Sequence, residues 1–512
     1  MHAILDLATA HPAALALTCL SLLVILRAAY LLLLSPLADV PGPWYAAVSD
    51  LWLTTHVLRL QQCKTVHALF ERYGPVVRVG PNQVVFRDGV TAKTVYNNSR
   101  FSKSTYYKSL TMNDNDHAMT CLDHSEHAMR KKGYVPHYAS ANIALFQPEL
   151  HQYTVDLVEV LEHIGGRDTP DTLNLFRQYL VDVVSSVSFG YHVGALGKWA
   201  MDSEDKLVTA IGDFPKRGIL RSALPSWLWD LLCRIPHQRW QLFCHADSTM
   251  SEFVSARVYE ARNQMTSGGS PGFKALVHRL LEHKVAASGA PMPDKDIIAE
   301  HMGHLVAGVD TSSTTLSYIC WELSRRADIA HKLHAELDAA MPDGKTIPDV
   351  IVLQNLPYLN AVIKEGLRLY GAAPSLLPRV VPNSTSRSSA FSESFDLMGY
   401  AIPPGTVVAT QGWSTNRDAS VFPMPDAFAP ERWLAATPDM ERALMPFGAG
   451  TRACGGQNLA QAVLRICVAS LSRNFDIVAP AHTDEQSMDI RDSFVIFPAA
   501  MKCDLTFYPR HR

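Results

Sequence analysis

From Ala13 to Leu34 the chain is apolar apart from Arg27 and a few small polar residues. About 20 such residues in a helix span the hydrocarbon core of a bilayer, so the segment 13–34 is expected to be a transmembrane anchor. A cleaved signal peptide would need a basic start, and residues 1–12 contain neither Lys nor Arg. Arg27 lies in the second half of the segment, where a long side chain can carry its charge to the nearer interface. Asp6 before the segment and Arg59 and Lys64 beyond it agree with the positive-inside rule. Residues 1–12 are therefore expected in the lumen and the remainder in the cytoplasm. Pro41-Gly42-Pro43 stops the helix and makes 35–43 a Pro-rich hinge between anchor and body.

A chain of 512 residues could hold about three domains. Beyond the hinge, however, the only linker-like run is Thr266-Ser267-Gly268-Gly269-Ser270-Pro271-Gly272, and residues 44–512 read as one domain. Apolar residues recur at helical spacing around Leu175, Tyr179, Val183 and Val187, around Ile319, Leu323 and Ile329, and around Leu359, Ile363 and Leu367. Strand-like pieces are shorter: Val76–Val79 and Gln83–Phe86 around Gly80-Pro81-Asn82, then Phe395–Ile402, Thr406–Ala409 and Phe494–Phe497. The fold class is mainly α with small β-sheets. A net charge of −3 lacks the basic surplus of a polyanion binder, so no nucleic-acid partner is expected. Nine cysteines without any C-x-x-C pair fit neither a disulfide framework nor a zinc ribbon.

One cysteine stands apart. Cys454 lies between glycines in Phe447-Gly448-Ala449-Gly450-Thr451-Arg452-Ala453-Cys454-Gly455-Gly456, ahead of a helical run from Leu459 to Leu471. A thiolate is stabilised where unpaired backbone N–H groups point out of a helix start. Glycines let those groups approach the sulfur closely. Gly448-x-Gly450-x-x-Ala453 also matches a dinucleotide fingerprint, which requires a buried strand before it; Ala443–Phe447 is short and broken by Pro446. Gly268-x-Ser270-x-Gly272 matches a nucleophile elbow but follows polar Arg262-Asn263-Gln264 and reads as a loop.

Phe447, Gly450, Arg452, Cys454 and Gly456 fill every fixed position of F-x-x-G-x-R-x-C-x-G, and the chain from Pro41 onward resembles the cytochrome P450 superfamily. Further motifs follow in the family's order. Glu365-Gly366-Leu367-Arg368 resembles E-x-x-R, and Pro430-Glu431-Arg432-Trp433 resembles P-E-R-F with Trp for Phe. Exposed pairs three apart contribute only about 0.3–0.5 kcal/mol. The resemblance instead implies a buried structural network of Glu365, Arg368 and Arg432. Ala307-Gly308-Val309-Asp310-Thr311-Ser312, inside a helix from about Ile297 to Arg325, resembles the oxygen-binding notch, with Thr311 donating toward dioxygen and Asp310 relaying protons. His127-x-x-x-Lys131 departs from a His-x-x-x-Arg pattern whose side chains reach a haem propionate. Lys cannot grip a carboxylate bidentately, and Arg130 beside it is the alternative. Arg379 after Leu376-Leu377-Pro378, and Arg452, are the other propionate candidates.

The resemblance implies haem b with Cys454 thiolate as axial ligand, Phe447 and Gly456 beside it, and O2 as co-substrate. It implies a monooxygenase acting on a hydrophobic small molecule, with electrons from NADPH-cytochrome P450 reductase at the endoplasmic reticulum membrane. Substrate contacts are expected at Tyr106–Met119, Ala307, Ala373–Leu377 and Phe494–Phe497, with access past Leu224–Leu232 and its Trp227 and Trp229. The look of residues 101–140 is similar to filamentous-fungal enzymes of secondary metabolism. An O2-independent isomerase or dehydratase, and a haem sensor or electron carrier, are the rival readings; neither needs an acid and alcohol pair like Asp310-Thr311. Deleting residues 1–35 is expected to move the protein from the membrane pellet to the supernatant on high-speed sedimentation.

Overall fold

The computed structural model describes residues 12–98, 101–267, 274–285, 289–383 and 394–510. The elbow-like Gly268-x-Ser270-x-Gly272 lies outside them. Helix α1, Pro12–Ala29, runs on as a wider turn at Tyr30–Leu34. Ala13–Leu34 is 22 residues long with a mean hydropathy of 2.3 and its most apolar stretch is not buried in the protein, so it is long and apolar enough to cross a membrane. Arg27 sits in the last turn of α1.

The Pro-rich segment differs from a free hinge. Leu37 and Val40 are buried in a cluster with Val76, Val84 and Phe86. The Pro41 carbonyl accepts from Arg78 N–H at 2.7 Å. The buried Arg78 guanidinium donates to the carbonyls of Leu31, Leu37, Gly80 and Pro81. Prolines remove backbone donors and leave carbonyls to be satisfied, and Arg78 satisfies several at once.

Strands β1 (Val76–Gly80) and β2 (Gln83–Phe86) form the expected hairpin. They continue through β3 (Ser102–Lys103), β4 (Arg379–Val380) and β7 (Val407–Ala409) into a five-stranded sheet of order β1-β2-β7-β4-β3. The expected strand at 395–402 is a hairpin of β5 (Phe395–Leu397) and β6 (Tyr400–Ile402) turning through Met398 and Gly399, both at positive φ. Two further pairs are β8 (Phe475–Val478) with β11 (Thr506–Pro509), and β9 (Ile490–Ser493) with β10 (Val495–Pro498).

Helices make up the rest: α2 (His124–Tyr134), α3 (Ser140–Ile164), α4 (Thr172–Phe189), α5 (Lys206–Ala223), α6 (Asp294–Arg325), α7 (Pro357–Tyr370) and α8 (Gln457–Asn474), with shorter ones between. Helix α6 has 32 residues and so runs roughly 48 Å through the body. Asp294 and Asp296 in its first turn suit the positive end of the helix dipole. Nearly every residue of α4 is buried, as for a helix surrounded by others. The apolar period at Ile319, Leu323 and Ile329 spans two helices, since α6 ends at Arg325 and another helix starts at Ala327.

Glu365 and Arg368, one turn apart on α7, are both fully buried. Arg368 donates Nε and Nη2 to the two carboxylate oxygens at 2.8 Å each. Its remaining donors reach the carbonyls of Asn416, Pro425 and Ala427. Arg432 Nε donates to Glu365 at 3.1 Å, and Ala429 N–H at 2.9 Å. Trp433, which stands for the pattern's Phe, donates its indole N–H to Glu365 at 2.9 Å, a bond Phe cannot make. Burying two ions costs several kcal/mol each unless every lone pair and proton is matched, and here the carboxylate accepts five bonds. Glu365→Gln is expected to cost about 3–5 kcal/mol in urea denaturation. Its neighbour in the exposed pair Lys364–Glu441, truncated as Lys364→Ala, is expected to cost less than about 1 kcal/mol.

Candidate active site

The loop before α8 places Cys454. Gly450 has φ +70, and a Cβ on it would lie 2.1 Å from the Tyr96 carbonyl oxygen, so only glycine fits the turn into Gly450–Arg452. Cys454 N–H closes the loop on the Phe447 carbonyl at 2.9 Å. Gly456, the cap residue of α8, donates its N–H to the sulfur. A Cβ on Gly455 would fall 2.4 Å from the Tyr134 ring, a constraint the signature pattern leaves unspecified. Nothing lies within 4 Å of where a Gly456 Cβ would be.

The Cys454 side chain is reached by solvent, yet burial pushes its thiol above the ordinary range. The two facts agree if the sulfur faces an internal void enclosed by protein. Burial outweighs the Gly456 N–H and the Lys131 ammonium, both of which pull the thiol down.

Helix α6 borders the same kind of space. Most of its residues are buried, but Ala307 is exposed and Gly308 and Thr311 partly so, in the middle of the protein's longest helix. Thr311 Oγ1 donates to the Ala307 carbonyl at 2.6 Å, the back-bond expected of a locally loosened turn. Asp310 does not share that outlook. Its carboxylate is buried against α4, where Arg177 donates Nε at 3.0 Å and Nη2 at 2.6 Å to Oδ1. Consecutive helical residues point about 100° apart, which separates the acid from the alcohol. Arg177 was missed; its signal was a lone cation on a strongly apolar helix.

Lys103, His127, Lys131, Arg379 and Arg452 gather where β3, β4, α2 and the cysteine loop meet. Lys103 and Arg379 are register partners in the sheet. Burial first, and then the nearby Arg452 and Lys131, push His127 down to about 3. Burial, then Arg379 and Arg452, depress the Lys103 amine well below its usual range. Arg452 is lowered to about 10 by burial and then Arg379. Arg452 donates to the carbonyls of Cys121, Leu122 and Asp123 while its buried Nε has no partner. Arg379 donates to Tyr107 Oη and the Pro378 carbonyl. Lys131 donates to the carbonyls of Thr451 and Ala453, bracing the loop. Arg130 turns the other way, into Glu126, Asp296 and Glu300, which separates it from Lys131.

None of these five side chains makes an ion pair among the described residues. Buried cations are rarely left so, and the cluster fits a ligand that brings carboxylates of its own. Residues 40–503 match the sequence model of the cytochrome P450 family. The chain belongs to that family.

Cytochrome P450 enzymes bind haem through a cysteine thiolate and use O2 as co-substrate; this chain is a P450 monooxygenase acting on a small molecule with a redox partner. Among its relatives, the cytochrome P450 monooxygenase stcB of Emericella nidulans is 28% identical, over 92% of this chain and 89% of that protein. The monooxygenase aflV of Aspergillus parasiticus is 30% identical, over 94% and 92%. The tryprostatin B 6-hydroxylase of Aspergillus fumigatus is 29% identical, over 89% and 78%. The residues present suit a haem with two propionates: a sulfur that solvent reaches, a Gly456 that leaves open space, and buried Lys103 and Arg379 beside Arg452 with no acid among the described residues. Lys103 was not among the candidates from sequence, because a lone Lys in Phe101-Ser102-Lys103 shows nothing until β3 pairs with β4.

The dinucleotide reading fails on geometry, since 443–447 contains no strand. Surface hollows around Asn263 and His163 include none of the expected site residues. On the access segment, Trp227 is 68% exposed while Trp229 is buried under Arg217, so only the first faces outward. Lys103→Met and Arg379→Met are each expected to weaken haem retention about tenfold or more, read by haem transfer to apomyoglobin, since a charge-assisted bond contributes about 1.5–3 kcal/mol.

Proposed function

We propose that the protein tailors a hydrophobic secondary metabolite of a filamentous fungus by inserting one oxygen atom into it, with Cys454 as the residue whose thiolate would hold the iron of haem b. The observation that carries the reading is the Cys454 loop, where the Gly456 N–H donates to a sulfur that solvent reaches, beside an otherwise buried α6 on which Ala307 and Thr311 are open. The name of one relative, a tryprostatin B 6-hydroxylase, supports the tailoring role.

Bound haem supplies the activation of dioxygen. Phe447 and Gly456 flank the ligand, and the Gly456 N–H holds the sulfur in place. Arg379, Arg452, Lys103 and His127 would take the propionates, with Lys131 as the brace between α2 and the cysteine loop. Thr311 holds a proton at Oγ1 that it can turn from the Ala307 carbonyl toward the void. Asp310, held by Arg177 of α4, anchors the turn that carries Thr311 and leaves the alcohol as the proton-bearing group. The apolar walls keep water from this proton path. An isomerase or dehydratase would have no use for Thr311 and Asp310 in these places.

Electrons would come from NADPH through a membrane-bound cytochrome P450 reductase. The apolar helix at 13–34 supports a single-pass anchor in the endoplasmic reticulum, with the haem domain on the cytoplasmic side. The reduced carbon monoxide complex is expected to give a thiolate-type Soret band, and Cys454→His a histidine-type one; an unchanged spectrum in the variant would remove Cys454 as ligand. Thr311→Ala is expected to lower product formed per NADPH consumed by about tenfold or more, in the range of lost general acid catalysis. Equal coupling in both proteins would end the proton role.

A further inference from the structure

Lys216 lies on α5 directly after Pro215, in a stretch whose other residues are almost all buried. Its ammonium rests 4.9 Å from the centroid of the Phe497 ring, and Phe497 belongs to β10, whose Ile496 N–H is bonded to the Ala372 carbonyl at 2.9 Å. Helix α5 also packs Gly218 against Leu110 and the Ser109 carbonyl. Lys216 therefore stands between two segments expected to wall the substrate space, 106–119 and 494–497.

The amine has no hydrogen bond and no ion pair among the described residues, although two acids are near. Asp213 is taken bidentately by Arg239, at 2.5 and 2.6 Å. Asp310 is taken by Arg177. Burial, then the adjacent Arg177, pull the amine down to about 8 against the opposing pull of Asp310 and Asp213. A cation held between an aromatic face and two acids already committed elsewhere has one open role, which is to meet an acceptor that arrives with a ligand. Arg177 and Arg239 each hold an acid, and Lys216 is the cation of this group that pairs with none among the described residues.

We infer that Lys216 is a specificity-determining residue that anchors a carboxylate of the substrate, so that the enzyme oxidises a hydrophobic acid. This rests on the monooxygenase reading only for what happens to the acid after it binds. The carboxylate would lie against Lys216 and Phe497 and leave the apolar remainder to extend toward Ala307 and Thr311.

The test is equilibrium dialysis of haem-loaded protein with dodecanoic, naphthoic and phenylbutanoic acids, each against its methyl ester. In at least one pair the wild type is expected to bind the acid about fivefold or more tightly than the ester, as a charge-assisted contact requires. Lys216→Met should bring acid and ester within about twofold, and Lys216→Arg should keep the preference. A wild-type preference below fivefold in all three pairs would overturn the inference, as would a preference that survives in Lys216→Met. The carbon monoxide band of the same preparations reads haem ligation separately, so failure there and failure here cannot be confused.

Discussion

The carboxylate of Glu365 is the point from which the haem side of this protein is organised. It is fully buried and would be costly there alone, because an uncompensated ion in the interior costs several kcal/mol, a large part of a domain's stability margin. Arg368, Arg432, Trp433 and the Ala429 N–H match it. In doing so they pin α7 to the 416–433 stretch, which has little regular structure of its own. Arg368 extends the same hold to three backbone carbonyls. The loop of Cys454 follows in the chain, so its position depends on a segment fixed largely by side-chain bonds to α7.

Charge is distributed unevenly around that framework. Arg130 is matched by three acids, whereas Lys103, Arg379 and Arg452, on the other side of α2, pair with no acid among the described residues and meet backbone carbonyls, the Tyr107 hydroxyl and aromatic faces. Burial first, and then like charges at short range, depress Lys103, His127 and Arg452. The cluster is thus built for a partner carrying negative charge, and the propionates of the family's haem answer that need.

The far side of the void follows the same logic on a smaller scale. Asp310 and Asp213 each hold an arginine, and Lys216 remains with an aromatic ring for company. The wall is otherwise apolar, so a single unmatched ammonium there has more influence on which ligands enter than it would at the surface, where water screens it.

Helix-dominated architecture, the β1-β2 hairpin and the apolar segment at 13–34 were legible in the sequence because each is written in local periodicity or length. The Glu365 triad and Cys454 were legible through spacing that resembles a family pattern. What spacing could not convey was direction. Lys131 and Arg130 are neighbours on α2, and only the packing of α2 between the cysteine loop and α6 sends one to Thr451 and the other to Glu300. Asp310 and Thr311 are adjacent in the chain, yet α4 draws the acid to Arg177 and leaves the alcohol at the void. The hinge at 35–43 proved to be seated on β1 because Arg78 collects its carbonyls across more than 40 positions of sequence. Sequence by itself determined which elements form and which sulfur stands at a helix start. The tertiary structure decided which charges meet, because long-range Coulomb and hydrogen-bond partners are chosen by packing and leave no periodic trace in the chain.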